Sequence, residues 1–89
     1  MAVRRKIVAR GRVQGVFFRD STRRQAQTLG VAGYARNRED GAVEIVVEGD
    51  GDAVERLVEY VRRGPGRAEV SDVDVSEEEP EGLSGFETR

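Results

Sequence analysis

The chain has 89 residues, 37% of them hydrophobic and 36% charged, with a formal net charge of -2; this size and balance fit one small domain spanning residues 1–89. It contains no cysteine and no histidine. That excludes disulfides, thiol nucleophiles, histidine general bases and the usual zinc ligand sets, and leaves Arg, Asn, carboxylates, hydroxyls and main-chain amides to carry any chemistry.

Val3 to Arg10 is predicted as the first strand, with Ile7-Val8-Ala9 as a continuous apolar run that leaves its buried face undetermined. Gly11 to Val16 is a glycine-bounded loop. Phe18 to Leu29 reads as a helix, because Phe18, Thr22, Ala26 and Leu29 fall on one face, and Gly30 is a natural stop. Val31 to Asn37 is a second strand, Asp40-Gly41 a turn, and Ala42 to Glu48 a third strand. In that third strand Val43, Ile45 and Val47 share one face, and Glu44, Val46 and Glu48 the other.

Asp52 to Arg63 is the strongest helix, with Val54, Leu57, Val58 and Val61 at amphipathic spacing, an Asp52–Glu55 pair resembling a capping box, and Arg62-Arg63 at the carboxyl end. Gly64-Pro65-Gly66 breaks it. Glu69 to Ser76 is a fourth strand with Val73 and Val75 on one face. Glu77 to Ser84 is an acidic loop, and Phe86 to Arg89 a short closing strand. The amino-terminal residues carry charges with no apolar stretch of signal-peptide type, and no apolar run reaches membrane-span length, so a cytoplasmic protein without membrane contact is expected.

The order β-α-β-β-α-β defines an α+β, ferredoxin-like sandwich, with two helices packed on one face of a mainly antiparallel sheet. Strands one and two, joined through a helix, should run parallel, with strand three antiparallel between them. Their carboxyl ends then share one edge of the sheet, which brings the Gly11–Val16 loop toward Asn37.

Charge is unevenly spread. Residues 1–38 carry ten cations and a single anion, Asp20, whereas residues 69–89 carry eight carboxylates. Either the cationic half meets an anionic ligand or the two halves neutralise each other across the sheet, and both can hold together. Successive N–H groups in a turn between a strand and a helix form an anion-binding nest, and the following helix amino terminus adds to it. Arg19, in the first helical turn, leans back over that loop with a donor fork suited to two phosphate oxygens. On pattern alone, the same segment also reads as a plain structural turn, and Asn37 as an ordinary strand-end residue. Phe17 is a candidate to flank a ligand, and Phe18 belongs to the core. Arg4, Arg5, Arg23 and Arg24 read as solvated, Glu77-Glu78-Glu79 as a solvated acidic loop, and Asp50 and Asp52 as capping residues in place of a metal pair.

Gly11-Arg12-Val13-Gln14-Gly15-Val16-Phe17-Phe18-Arg19 resembles the first signature of the acylphosphatases, and Gly33-Tyr34-Ala35-Arg36-Asn37, followed by Gly41-Ala42-Val43 and Gly49, resembles the second. The resemblance runs from Lys6 to Phe86. It implies a hydrolase cleaving the carboxyl–phosphate bond of acyl phosphates without metal or other cofactor. It implies that Arg19 binds the phosphate, that the loop amides of Arg12, Val13, Gln14, Gly15 and Val16 surround the same group, and that Asn37 positions the attacking water. A small acyl phosphate and inorganic phosphate are the implied ligands, and a monomer without nucleic-acid contact is expected. The rival reading is a non-catalytic ferredoxin-like module that binds phosphate, carbamoyl phosphate or nucleic acid. Against RNA, the chain lacks paired strand aromatics and should present carboxylates of strand three on the open sheet face.

Overall fold

A computed structural model describes residues 2–89. Its elements are β1 (Ala2–Arg12), α1 (Phe18–Leu29), β2 (Ala32–Asn37), β3 (Val43–Asp50), α2 (Gly51–Arg63), β4 (Glu69–Glu78) and β5 (Phe86–Thr88). They build one sheet in the order β4-β1-β3-β2-β5. β3 is antiparallel to both β1 and β2, β4 is antiparallel to β1, and β5 lies parallel to β2. This is the expected ferredoxin-like arrangement, with β5 closing the far edge.

The helices pack on one sheet face. Ile7 and Ala9 of β1, Ala35 of β2, and Val43, Ile45 and Val47 of β3 meet Phe18 and Ala26 of α1 and Val54, Leu57, Val58 and Val61 of α2. The ambiguous run in β1 is thereby resolved: Ile7 lies opposite Ile45 and Ala9 opposite Val43 on the helix side, while Val8 lies opposite Glu44 on the other. Burying each of the Ile, Val, Leu and Phe side chains contributes about 1.5–3 kcal/mol, which outweighs the modest helix and strand propensities of the segments. Gly30 ends α1 as expected, its N–H reaching the Ala26 and Gln27 carbonyls.

Three expectations need correction. The loop after β1 begins at Val13 and not at Gly11, because Gly11 and Arg12 pair with Val70 and Glu69. The register shifts between Arg10 and Gly11, leaving Ser71 of β4 as the extra residue of a bulge. Gly11 is required there: its φ is 126°, and a Cβ would sit 2.2 Å from the Glu69 carbonyl oxygen. The capping box at α2 is not formed. The helix starts at Gly51, which puts Asp52 inside the first turn, and Asp50 at the N-cap makes no side-chain capping bond. Asp52 therefore acts only through its charge near the helix amino terminus.

The third correction concerns the open face of the sheet. Arg4 is not solvated but buried, as are Glu44 and Glu48, each only 5% exposed. The register explains it, since Arg4 lies opposite both Glu48 and Glu78, and Arg36 opposite Glu44. Cross-strand pairs of opposite charge result: Arg4 Nη1 to Glu48 Oε2 at 3.1 Å, Arg4 Nε to Glu78 Oε1 at 2.8 Å and Arg36 Nε to Glu44 Oε2 at 2.9 Å. Glu77 and Glu78 accordingly belong to β4 and not to a loop. The cationic amino-terminal strand and the acidic final third do neutralise each other across the sheet. Glu48 also accepts the main-chain N–H groups of Glu81 and Leu83, at 2.9 and 2.6 Å, and so fixes the segment that leads into β5.

Candidate active site

The turn after β1 and the end of β2 meet at one edge of the sheet. Between them lies a cleft of about 300 Å³, lined by Val13, Gly15 and Phe17 of the turn, Arg19 of α1, Asn37 of β2 and Thr88 of β5. Residues far apart in the chain converge because β1 and β2 both run antiparallel to β3 and so end on the same side.

The turn itself is unusual in its backbone. Among the described residues, no main-chain N–H from Val13 to Phe17 is spent on a main-chain carbonyl outside the helices and strands. Gly15 has φ 74° and Phe17, at the N-cap of α1, has φ 61°. A non-glycine residue held in the left-handed region is strained, and such strain gathers where a backbone is shaped for function. The turn delivers its free donors directly to the amino terminus of α1, the arrangement that favours an anion.

The charged groups of the cleft are unequal. Asp20 is bonded to Arg23 and lies against Arg24. The hydrogen bond from Arg23 chiefly holds its carboxyl below the usual aspartate range, against a smaller opposing effect of desolvation. Asp20 is thus an ionised, already neutralised carboxylate and a poor proton acceptor at neutral pH. Arg19 pairs with no Asp or Glu side chain among the described residues; its Nη1 donates to the main-chain oxygen of Arg89 at 2.7 Å.

Of the residues singled out from sequence, Arg19, Asn37, Val13 and Gly15 line this cleft. Val13 does so from a buried side chain. Arg12 and Val16 line a neighbouring cleft instead. Gln14 turns its side chain away from solvent and ties the turn to the β2–β3 hairpin, its Nε2 donating to the Arg38 and Ala42 carbonyls at 2.9 Å each. That hairpin is braced by Asp40, which accepts the Ala42 N–H and pairs with Arg10 and Arg38. Phe18 is core, as expected. Sequence reasoning missed Thr88 and the side-chain role of Gln14. Thr88 reaches the site only through the pairing of β5 with β2, which leaves no local signal, whereas the polarity of Gln14 in a turn was a signal without a direction.

Fold and cleft together define a ferredoxin-like domain with a strand-to-helix turn of unspent N–H groups and an arginine and an asparagine that converge on one cleft. The sequence model of the acylphosphatase family matches residues 5–88. The chain is 50% identical over 86 residues to an acylphosphatase of Haloarcula marismortui, covering 97% of this chain and 94% of that one. It is 57% identical over 79 residues to an acylphosphatase of Thiobacillus denitrificans, covering 89% and 88%. The crystal structure of acylphosphatase from Bacillus subtilis superposes with a TM-score of 0.94 at 38% identity, over 100% of this chain and 99% of that one. The chain belongs to the acylphosphatase family and is a hydrolase of that family.

Proposed function

We propose that this chain hydrolyses acyl phosphates by direct attack of water on phosphorus, with Arg19 and the turn amides holding the phosphoryl group and Asn37 orienting the water. The water oxygen bonds to phosphorus as the bond from phosphorus to the acyl oxygen breaks. The carboxylate leaves with the electron pair, and the water proton ends on the phosphate released. A carboxylate is a good leaving group, so the work of the site is alignment and charge stabilisation. Arg19 and the unspent N–H groups supply preorganised donors for charge growing on the phosphoryl oxygens. An amide such as Asn37 orients water well and accepts protons poorly. With Asp20 neutralised by Arg23 and Arg24, a substrate phosphate oxygen is the acceptor this reading assigns.

The convergence of Arg19 and Asn37 on one cleft beside a turn of free N–H groups carries the reading. It includes small-molecule acyl phosphates as substrates, no cofactor, a monomer and a cytoplasmic location. No helix among the described residues is long and apolar enough to cross a membrane. Against a nucleic-acid platform, Tyr34 on the sheet is covered by the Arg89 guanidinium, 3.9 Å above its ring, and has the buried carboxylates Glu44 and Glu48 as neighbours in the register. The test is hydrolysis of benzoyl phosphate in EDTA, followed by ultraviolet absorbance, for the wild type and Arg19→Gln. Turnover that falls by about 10²-fold or more in the variant supports the reading. A folded wild type without turnover overturns it in favour of a binding module.

A further inference from the structure

Phe17 belongs to two clefts at once. One is the Arg19–Asn37 cleft. The other, of about 460 Å³, lies on the far side of the turn, where Arg12, Val16 and Ser21 face Gly66 and Arg67 of the α2–β4 connection. Gly15 is the second residue the clefts share. Phe17 is 81% exposed, the most exposed large apolar side chain described, and its left-handed backbone holds it there. Nothing in the fold needs a bare aromatic ring at that position.

The charges of the second cleft are equally unspent. Arg10, Arg23, Arg24 and Arg38 around the site each pair with Asp20 or Asp40. Arg12 and Arg67 make no ion pair among the described residues, although Glu69 lies opposite Arg12 in the β1–β4 register and the chain has more acidic than basic side chains. The turn that carries Arg67 is itself closed by a hydrogen bond from the Ala68 N–H to the Pro65 carbonyl at 3.1 Å. Two free guanidiniums thus face one cleft from opposite sides, next to an exposed ring and adjoining the phosphate turn.

We infer that the second cleft is the acyl subsite, and that it selects acyl phosphates whose acyl half bears a second anionic group, a carboxylate or a phosphate. This inference rests on the assignment of the first cleft to the phosphoryl group. The acyl chain passes over the Phe17 ring, and its distal anion is taken between Arg12 and Arg67. Arg19 is the one basic side chain that lines the first cleft, and the phosphoryl group takes it.

The probes are 4-carboxybenzoyl phosphate and 4-methylbenzoyl phosphate, which share a rigid ring and differ in the distal charge. Their kcat/KM values are read as a ratio within each protein, at low ionic strength, for the wild type, Arg67→Gln, Arg67→Glu and Arg56→Gln. Arg67 is exposed, so the variants fold, and Arg56 is an exposed cation on α2 outside both clefts. The inference expects the wild type to favour the carboxylate. It expects the ratio to fall about threefold in Arg67→Gln, to fall about tenfold in Arg67→Glu, and to stand unchanged in Arg56→Gln, with the wild-type preference fading as salt is added. Ratios equal in the wild type and both Arg67 variants overturn it, as does an equal fall in Arg56→Gln, which would mark a general field. Those outcomes leave hydrolysis of both probes intact. A wild type that hydrolyses neither probe removes the phosphoryl assignment and this inference with it.

Discussion

The side chain of Gln14 donates to the main-chain carbonyl of Arg38, the residue after Asn37, at 2.9 Å. With its second bond, to the Ala42 carbonyl, it joins the turn proposed to hold the phosphoryl group to the hairpin that carries Asn37. Gln14→Leu keeps the size of the side chain and removes both bonds, so the two halves of the cleft lose their mutual alignment. Turnover of benzoyl phosphate should fall about tenfold or more, because small misplacements of a water-positioning group are costly. Competitive inhibition by inorganic phosphate should change less than twofold if, as here, the Arg19 side of the cleft is untouched (about the scatter expected for a bystander). Equal losses in both measurements would point to general unfolding of the turn.

Asn37 sits exposed at the end of β2, opposite Val43 in the register, and its side chain bonds to no other protein group among the described residues. Asn37→Ala should therefore leave the thermal midpoint within a degree or two, as for an ordinary surface change. Its kcat should drop by about 10²-fold while phosphate still binds. Normal turnover in this variant would remove Asn37 from the mechanism.

Stability should depend on pH through Glu48. Burial alone would raise its pKa, but the N–H groups of Glu81 and Leu83 and the Arg4 guanidinium outweigh burial and hold it below the ordinary glutamate value. A carboxyl whose folded pKa is lowered adds stability above its unfolded pKa and loses it as pH falls through the folded value. Urea midpoints should be flat from pH 8 to about pH 5 and fall below that. Glu48→Gln should be less stable at neutral pH and show a shallower acid decline.

Thr22 lies on the core face of α1, fully buried, and its hydroxyl is the one buried side-chain polar atom described without a hydrogen-bond partner. Thr22→Val keeps the branched shape and removes the stranded hydroxyl. It should raise the unfolding free energy by about 1 kcal/mol, measured by urea denaturation with benzoyl phosphate turnover unchanged. A loss of stability would mean that the hydroxyl is satisfied in solution.

Period and punctuation made α1 legible to the residue, since Phe18, Thr22 and Ala26 mark its face and Gly30 its end. The alternation of Val43, Ile45 and Val47 likewise identified the buried face of β3. The same reading placed Arg19 and Asn37 together, because the β-α-β-β order alone puts the ends of β1 and β2 on one edge. What stayed hidden depends on which residue lies across from which. Arg4 looked like a solvated cation until Glu48 and Glu78 stood opposite it. Gly11 looked like a loop residue until Glu69 and Val70 paired beside it. Asp52 looked like a cap because the pattern Asp-x-x-Glu carries no mark of where the helical turn begins. Thr88 had no local signature at all.

The strand β4 forms one edge of the sheet along its whole length, Glu69–Glu78. An uncovered edge of that length offers its main chain to any other strand, including the β4 of a second molecule. Here the edge bulges at Ser71 and carries Glu69, Asp72, Asp74, Glu77 and Glu78, each with exposed surface. Two copies meeting edge to edge would bring rows of like charge together along an irregular ladder. The carboxylates that balance the arginines of β1 within one molecule thus also disfavour the edge-to-edge pairing of two copies, and acidification should weaken both effects at once.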